Sequence, residues 1–228
     1  MSSAIKVLVW WMLFAGTHTV LSHPPIRSRL VSRLGEGVFQ GVYSLIALAT
    51  FVPLLWTFFT NRSSHAVPLL MLLMTPGIWW VTMLLNLFAV VLLVLGFSRP
   101  NPVSSLTAKP GSGSSARGAL RITRHPAFMG AGILGLSHLL VNYTAIDRVF
   151  FGGTFLYALL GSAHQDWRRR LSADPELRRF FAETSFFPFV AIATGRNRFE
   201  PRELRLGALI AGVALFGLVF LFHYRLFG

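Results

Sequence analysis

The sequence predicts an all-α, polytopic membrane helix bundle of about six spans with both termini outside, and three observations predict it. Of 228 residues, 54% are hydrophobic and only 13% are charged, with a mean hydropathy of +0.59. That is too little charge to cover the surface of a soluble domain of this length. Apolar runs of membrane length recur along the chain, and basic residues fall in alternate loops between them.

The runs are Ala4–Leu21, Val38–Phe59, Pro76–Phe97, Pro126–Val141, Phe150–Ala163 and Leu206–Tyr224. The third is read as able to start near Val67, with Pro68 and Pro76 bending its entry. The fourth and fifth are short and are expected to extend by a turn at their basic ends. The first is read as a retained span, because a single lysine precedes it and no small-residue cleavage site follows.

Loops after the first, third and fifth runs hold 17 of the 21 basic residues, and the remaining segments hold Lys6, Arg62, Arg148 and Arg225. The basic side is cytoplasmic by the positive-inside rule, which places both termini on the outer side. The net charge of +13 is thereby accounted for by topology and contact with anionic lipid. It is not read as a nucleic-acid footprint. The chain has no cysteine, which excludes disulfides, zinc–thiolate sites and a thiol nucleophile.

One membrane domain spans residues 1–228, with Ser98–Gly118 read as a flexible cytoplasmic linker from its Ser, Pro and Gly content. Asp174-Pro175-Glu176 marks a helix start: a side-chain cap, a proline at the first helical position, then an acid for the dipole. The helix it opens, through "ELRRFFAET", is expected to lie amphipathically along the inner interface. "SFFPFVAIATG" (Ser185–Gly195) is too short to cross and reads as a re-entrant or interfacial piece.

Histidines are the chemistry-bearing residues. His23 and His65 fall in loops and read as solvated; His164, beside Asp166 and Arg168–Arg170, reads as an interfacial anchor. His18, His138 and His223 fall within spans, where an ionisable group is costly and marks either a site or an imidazole bonded to a neighbouring helix. His125 and His138 lie thirteen residues apart, about 140° around a helix axis. One helix therefore builds no two-histidine site, and any partner for His138 comes from another span. His18 is the natural one, although its α-carbon is expected to lie about 12 Å away in depth. Ala131 and Gly135 flank the His138 side of the helix, leaving a flat groove that suits either a macrocycle or close helix packing.

"GTHTVLSHPPIRSRLVSRLGEGVFQGVYSLIAL", "LRITRHPAFMGAGILGLSHLLVN" and "ETSFFPFVAIATGRNRFEPREL" resemble, in order and spacing, successive signatures of the NnrU family of bacterial membrane proteins. The resemblance covers nearly the whole chain outside the linker. It implies a multi-pass protein of the bacterial inner membrane associated with nitrogen-oxide and denitrification metabolism, in a superfamily shared with the haem-b enzyme 15-cis-zeta-carotene isomerase. It further implies haem b, with His18 and His138 as metal ligands and His125, Ala131 and Gly135 at the cofactor. If the protein is an enzyme, the resemblance implies a haem-dependent cis–trans isomerase. The position of that enzyme's alternative cysteine ligand is Gly135 here, which removes that ligand. The Arg-His-Pro element also resembles that of membrane methyltransferases, but the paired glutamates that accompany it there are absent. A cofactor-free transporter or scaffold is the remaining alternative. The expected partners are the bilayer and a small apolar or gaseous ligand.

Overall fold

The helix starts follow local side-chain chemistry. In the computed structural model, which describes residues 1–62, 76–104, 115–171 and 174–227, α1 is Ser3–Ser22, capped by the Ser2 hydroxyl accepting from the Ile5 amide. Pro24 opens α2, Pro24–Leu34, which ends at Gly35 with φ 79°, a conformation glycine adopts without strain. Then come α3, Glu36–Asn61, and α4, Pro76–Phe97. A short α5, Ala119–Ile122, precedes α6, Pro126–Leu139, which has proline at its first turn. The Thr144 hydroxyl caps α7, Ala145–Arg170. Asp174 caps α8, Pro175–Glu183, at the expected triplet. The one-turn α9, Val190–Ala193, a 3-10 turn at Pro201–Glu203 and α10, Leu206–Phe227, complete the chain. Among the described residues there is no strand.

Among the described residues four helices are long and apolar enough to cross a membrane: α1, α3, α4 and, over Leu206–His223, α10. The fourth and fifth expected spans lie at the centre of the bundle. Helix α6 is apolar but has only 14 residues. Helix α7 has 26 residues, with Asp147 and Arg148 at one end and Arg168–Arg170 at the other. The helices pack in the order α3–α1–α7–α6–α4–α10, so the α6–α7 hairpin joins the first pair of helices to the last. Its two sides are filled by separate apolar cores. Val7, Trp11, Phe14, Leu54, Phe58 and Ile146 fill one, and Leu92, Leu95, Ala119, Ile122 and Met129 fill the other.

The α4–α6 crossing is close because glycines remove side chains from it. A β-carbon on Gly130 would lie 2.6 Å from the Ala89 carbonyl, and one on Gly96 would lie 2.5 Å from the Ala127 nitrogen. Membrane helices gain contact by such approaches, since lipid supplies no hydrophobic drive between them.

The arginine-rich end of the bundle differs from expectation in three places. Residues of the expected linker are packed at both described ends, with Val103 fully buried and Ala116 6% exposed; its middle, like His65 and the early start at Val67, lies outside the described residues. Helix α8 turns Leu177, Phe180 and Phe181 onto protein, Phe180 and Phe181 joining Val103 and Leu120 in a third core. It does not lie with that face along a lipid interface. Helix α2 forms where the sequence predicts only a loop, and it buries none of its residues. The Ser185–Gly195 piece does fold back on the bundle: the Phe189 amide donates to the Ile122 carbonyl, and its ring stacks on Phe88, nine residues inside α4.

A histidine-lined cavity in the bundle

Helices α1, α3, α4, α6 and α7 line a half-open cavity of about 490 Å³, within the range of small-molecule and cofactor sites, with Leu93, Gly96 and Phe97 coming from α4. Helical periodicity builds its walls. From α6 come Ala127, Ala131 and Gly135, one turn apart on a single face; from α7 come Phe150, Phe151, Thr154, Tyr157, Ala158, Gly161, His164 and Arg168 on one stripe. Trp11, Phe14 and His18 come from α1, and Tyr43 and Phe51 from α3. The body of the cavity is thus aromatic and small-residue, whereas Ser22, Asn101, Ser104, Gln165 and Arg168 gather at the arginine-rich end.

His18, Ala131, Gly135 and His125 all line this cavity; His138 does not. The His18 ring stands 4.6 Å from Tyr43, 4.8 Å from Phe14 and 6.1 Å from Tyr157. His138 Nδ1 donates to the Leu134 carbonyl at 2.8 Å, and its ring stacks on Phe151 at 4.5 Å with His223 at 6.4 Å. Phe151 itself is a cavity wall. Tyr157, beside His18, and Phe151, beside His138, are six residues apart on α7, or about 9 Å in depth. His18 thus meets α7 about 9 Å in depth from where His138 meets it, and of the two only His18 lines the cavity. The small-residue face of α6 lines the cavity, and the imidazoles that share it are His18, His125 and His164.

Gly135 has a packing reason as well. A β-carbon there would lie 2.8 Å from the Phe151 carbonyl and 3.1 Å from the Phe155 nitrogen. A cysteine at this position does not fit against α7.

The Arg-His-Pro element is tied down by an acid that the sequence reading noticed only as a neighbour of His164. Asp166 takes Arg124 Nε on one oxygen at 2.7 Å and His125 Nε2 on the other at 2.6 Å. An ionised carboxylate only accepts, so His125 donates from Nε2 and is left with an acceptor at Nδ1, which has no partner among the described residues. Burial lowers the His125 pKa below the ordinary histidine value, against the raising effect of Asp166. Arg124 also donates to the Thr184 carbonyl, and its guanidinium lies 5.0 Å over Phe181. Nothing local signals Asp166, since it lies 41 residues along the chain. The only clue was an acid set among arginines.

Two further arrangements were not legible. Asn86 accepts from the Ser137 hydroxyl, a buried polar link between α4 and α6. His23, expected to be solvated, stacks on Trp167 at 5.1 Å, and His164 stacks on the same ring at 5.6 Å. His164 Nε2 is buried without a partner among the described residues. No group of three or more His, Cys, Asp or Glu side chains placed to hold a metal ion occurs among the described residues.

Residues 7–228 match the family model described as NnrU protein. No match is found among curated proteins or among solved structures.

Proposed function

The chain belongs to the NnrU family, and from that premise we propose that this integral membrane protein holds a flat apolar ligand in the cavity that α1, α3, α4, α6 and α7 line. The ligand the family resemblance implies is haem b. One observation supports the reading: His18 lines a cavity walled by aromatic rings on one side and by Ala127, Ala131 and Gly135 on the other. A planar ring system lies against such a small-residue face without loss of contact.

The lining supports a haem carried on His18; His138, which the resemblance also implies as a ligand, is not part of that lining. Bound haem supplies an iron able to take a small gaseous or redox-active ligand. This chain supplies the apolar walls that exclude water and the His18 ring, which Phe14, Tyr43 and Tyr157 surround. We attach no isomerase step to the cavity, because the position matching a thiolate ligand is Gly135, packed on the α7 backbone. Nor do we assign methyl transfer, because Arg124 and His125 are engaged with Asp166.

The physiological setting we propose, nitrogen-oxide metabolism in the bacterial inner membrane, rests on the resemblance. The arginine-rich end is then cytoplasmic, and the six-run orientation of the sequence supports that. The test is the absorption spectrum of protein purified from haem-supplied cells. A haem spectrum that is lost in His18→Ala supports the reading, and a folded, haem-supplied protein without any haem overturns it.

A further inference from the structure

The cavity is not uniform along its length. Its body is aromatic, but Ser22, Asn101, Ser104, Gln165 and Arg168 all lie at the arginine-rich mouth. Arg168 Nη1 donates to the Ser22 carbonyl at 3.0 Å, at the end of α1. Burial pulls its pKa below the ordinary arginine value, and the Arg169 and Arg27 charges act in the same direction. A guanidinium nonetheless stays charged, so this mouth presents one fixed, partly desolvated positive charge. His164, on the same wall one turn before Arg168, adds a buried ring nitrogen with no partner among the described residues.

The geometry points to a ligand with an acidic head: a carboxylate meets Arg168 at the arginine-rich mouth while the apolar body lies between the aromatic walls. Three features converge on this. Positive charge concentrated at one end of a low-dielectric cleft attracts and orients an anion. A guanidinium matches a carboxylate with two parallel hydrogen bonds. The far end, around Trp11, Phe51 and Phe150, offers an apolar body the burial it needs. A molecule entering head-last would bury its acid among these rings, at the desolvation cost of an unpaired charge. The ligand is thus an amphipathic acid of fixed orientation. This deepens the cavity reading above and uses the carboxylate side chains of haem, but not its iron.

The test uses metal-free protoporphyrin IX and its dimethyl ester, which share one flat body and differ in having free or blocked acids. The full chain in lipid nanodiscs is titrated with each, and porphyrin fluorescence is read against empty nanodiscs. Wild type is expected to bind the diacid at least about tenfold more tightly than the ester. Arg168→Gln is expected to abolish that difference by weakening the diacid alone, and Arg168→Lys to keep most of it. His18→Ala is expected to retain the preference, because no iron is present. A haem spectrum lost in His18→Ala alongside an intact acid preference therefore separates the two readings. Equal affinities for the two porphyrins, a preference that survives Arg168→Gln, or no binding above empty nanodiscs would each overturn the inference.

Discussion

His125 and Asp166 meet at 2.6 Å where the head of α6 reaches the arginine-rich end of α7. The same carboxylate holds Arg124 at 2.7 Å, so one acid fixes two consecutive residues of the Arg-His-Pro turn. Both partners are nearly inaccessible, His125 at 2% and Asp166 at 7% exposure. The arrangement locks the hairpin at the base of the cavity. From it Pro126 launches α6 in a fixed direction, and Ala127, Ala131 and Gly135 follow one turn apart along the wall.

Asp166→Ala removes the charge that offsets Arg124 and strands a buried guanidinium. Breaking such a pair typically costs about 3–5 kcal/mol. Asp166→Asn, which keeps an acceptor for Arg124, is expected to cost less. Thermal unfolding of the purified protein in detergent checks the order wild type, then Asn, then Ala. An Ala variant that melts with wild type would remove this ion pair from any structural role.

The contact between the Pro201–Glu203 turn and α5 is expected to weaken in acid. Glu203 accepts from Arg121 Nε and Nη2 and from the Gly118 amide, all at 2.8 Å. The Arg121 guanidinium, through its hydrogen bonds, holds the Glu203 carboxyl down at about 2, well below the ordinary carboxylate value. A depressed folded-state pKa means the contribution is fully present above the unfolded value of 4.5 and fades as pH falls toward 2. Glu203→Gln should lose roughly 1 kcal/mol at neutral pH and show a flatter stability profile over that acid window. Proteolysis rates of the 198–205 region as a function of pH report the difference.

What was legible in the sequence was what neighbours in the chain decide. The apolar runs gave the all-helical membrane architecture, and Asp174-Pro175-Glu176 gave the start of α8, because caps and periodicity act within a turn or two. At the described ends of the Ser98–Gly118 segment Val103 and Ala116 are buried, which composition did not show because it reports backbone freedom and not tertiary holes. The candidate site was half legible. His18 and the small face of α6 share a cavity, as their residue types implied. His138, on the same side of α6 but a turn beyond Gly135, falls past the cavity lining, and its ring meets Phe151 and His223.

Gly130→Ala tests the α4–α6 crossing. The added methyl would meet the Ala89 carbonyl and the Leu93 nitrogen at 2.6 and 2.7 Å, and backbone atoms cannot rotate away. Overpacking of this kind costs about 1–3 kcal/mol. Gly41→Ala, with nothing within 4 Å of its new methyl, serves as the control and is expected to melt with wild type. Equal melting of the two variants would show that the helices separate more easily than this contact implies.

His138 and His18 should separate in their consequences, although both are histidines on apolar helices. Removing His138 deletes a hydrogen bond to the Leu134 carbonyl and a stack on Phe151, losses of roughly 1–3 kcal/mol together. His18 is untouched, so His138→Ala is expected to lower the melting temperature and leave the haem content per protein unchanged. His18→Ala deletes the ring that lines the cavity and is expected to empty it of haem with a smaller change in melting. The measurement is haem content per folded protein for each variant, beside its melting curve. The reverse pattern, haem lost from His138→Ala and kept by His18→Ala, would move the ligand to the other side of Phe151, toward His223, and away from the cavity altogether.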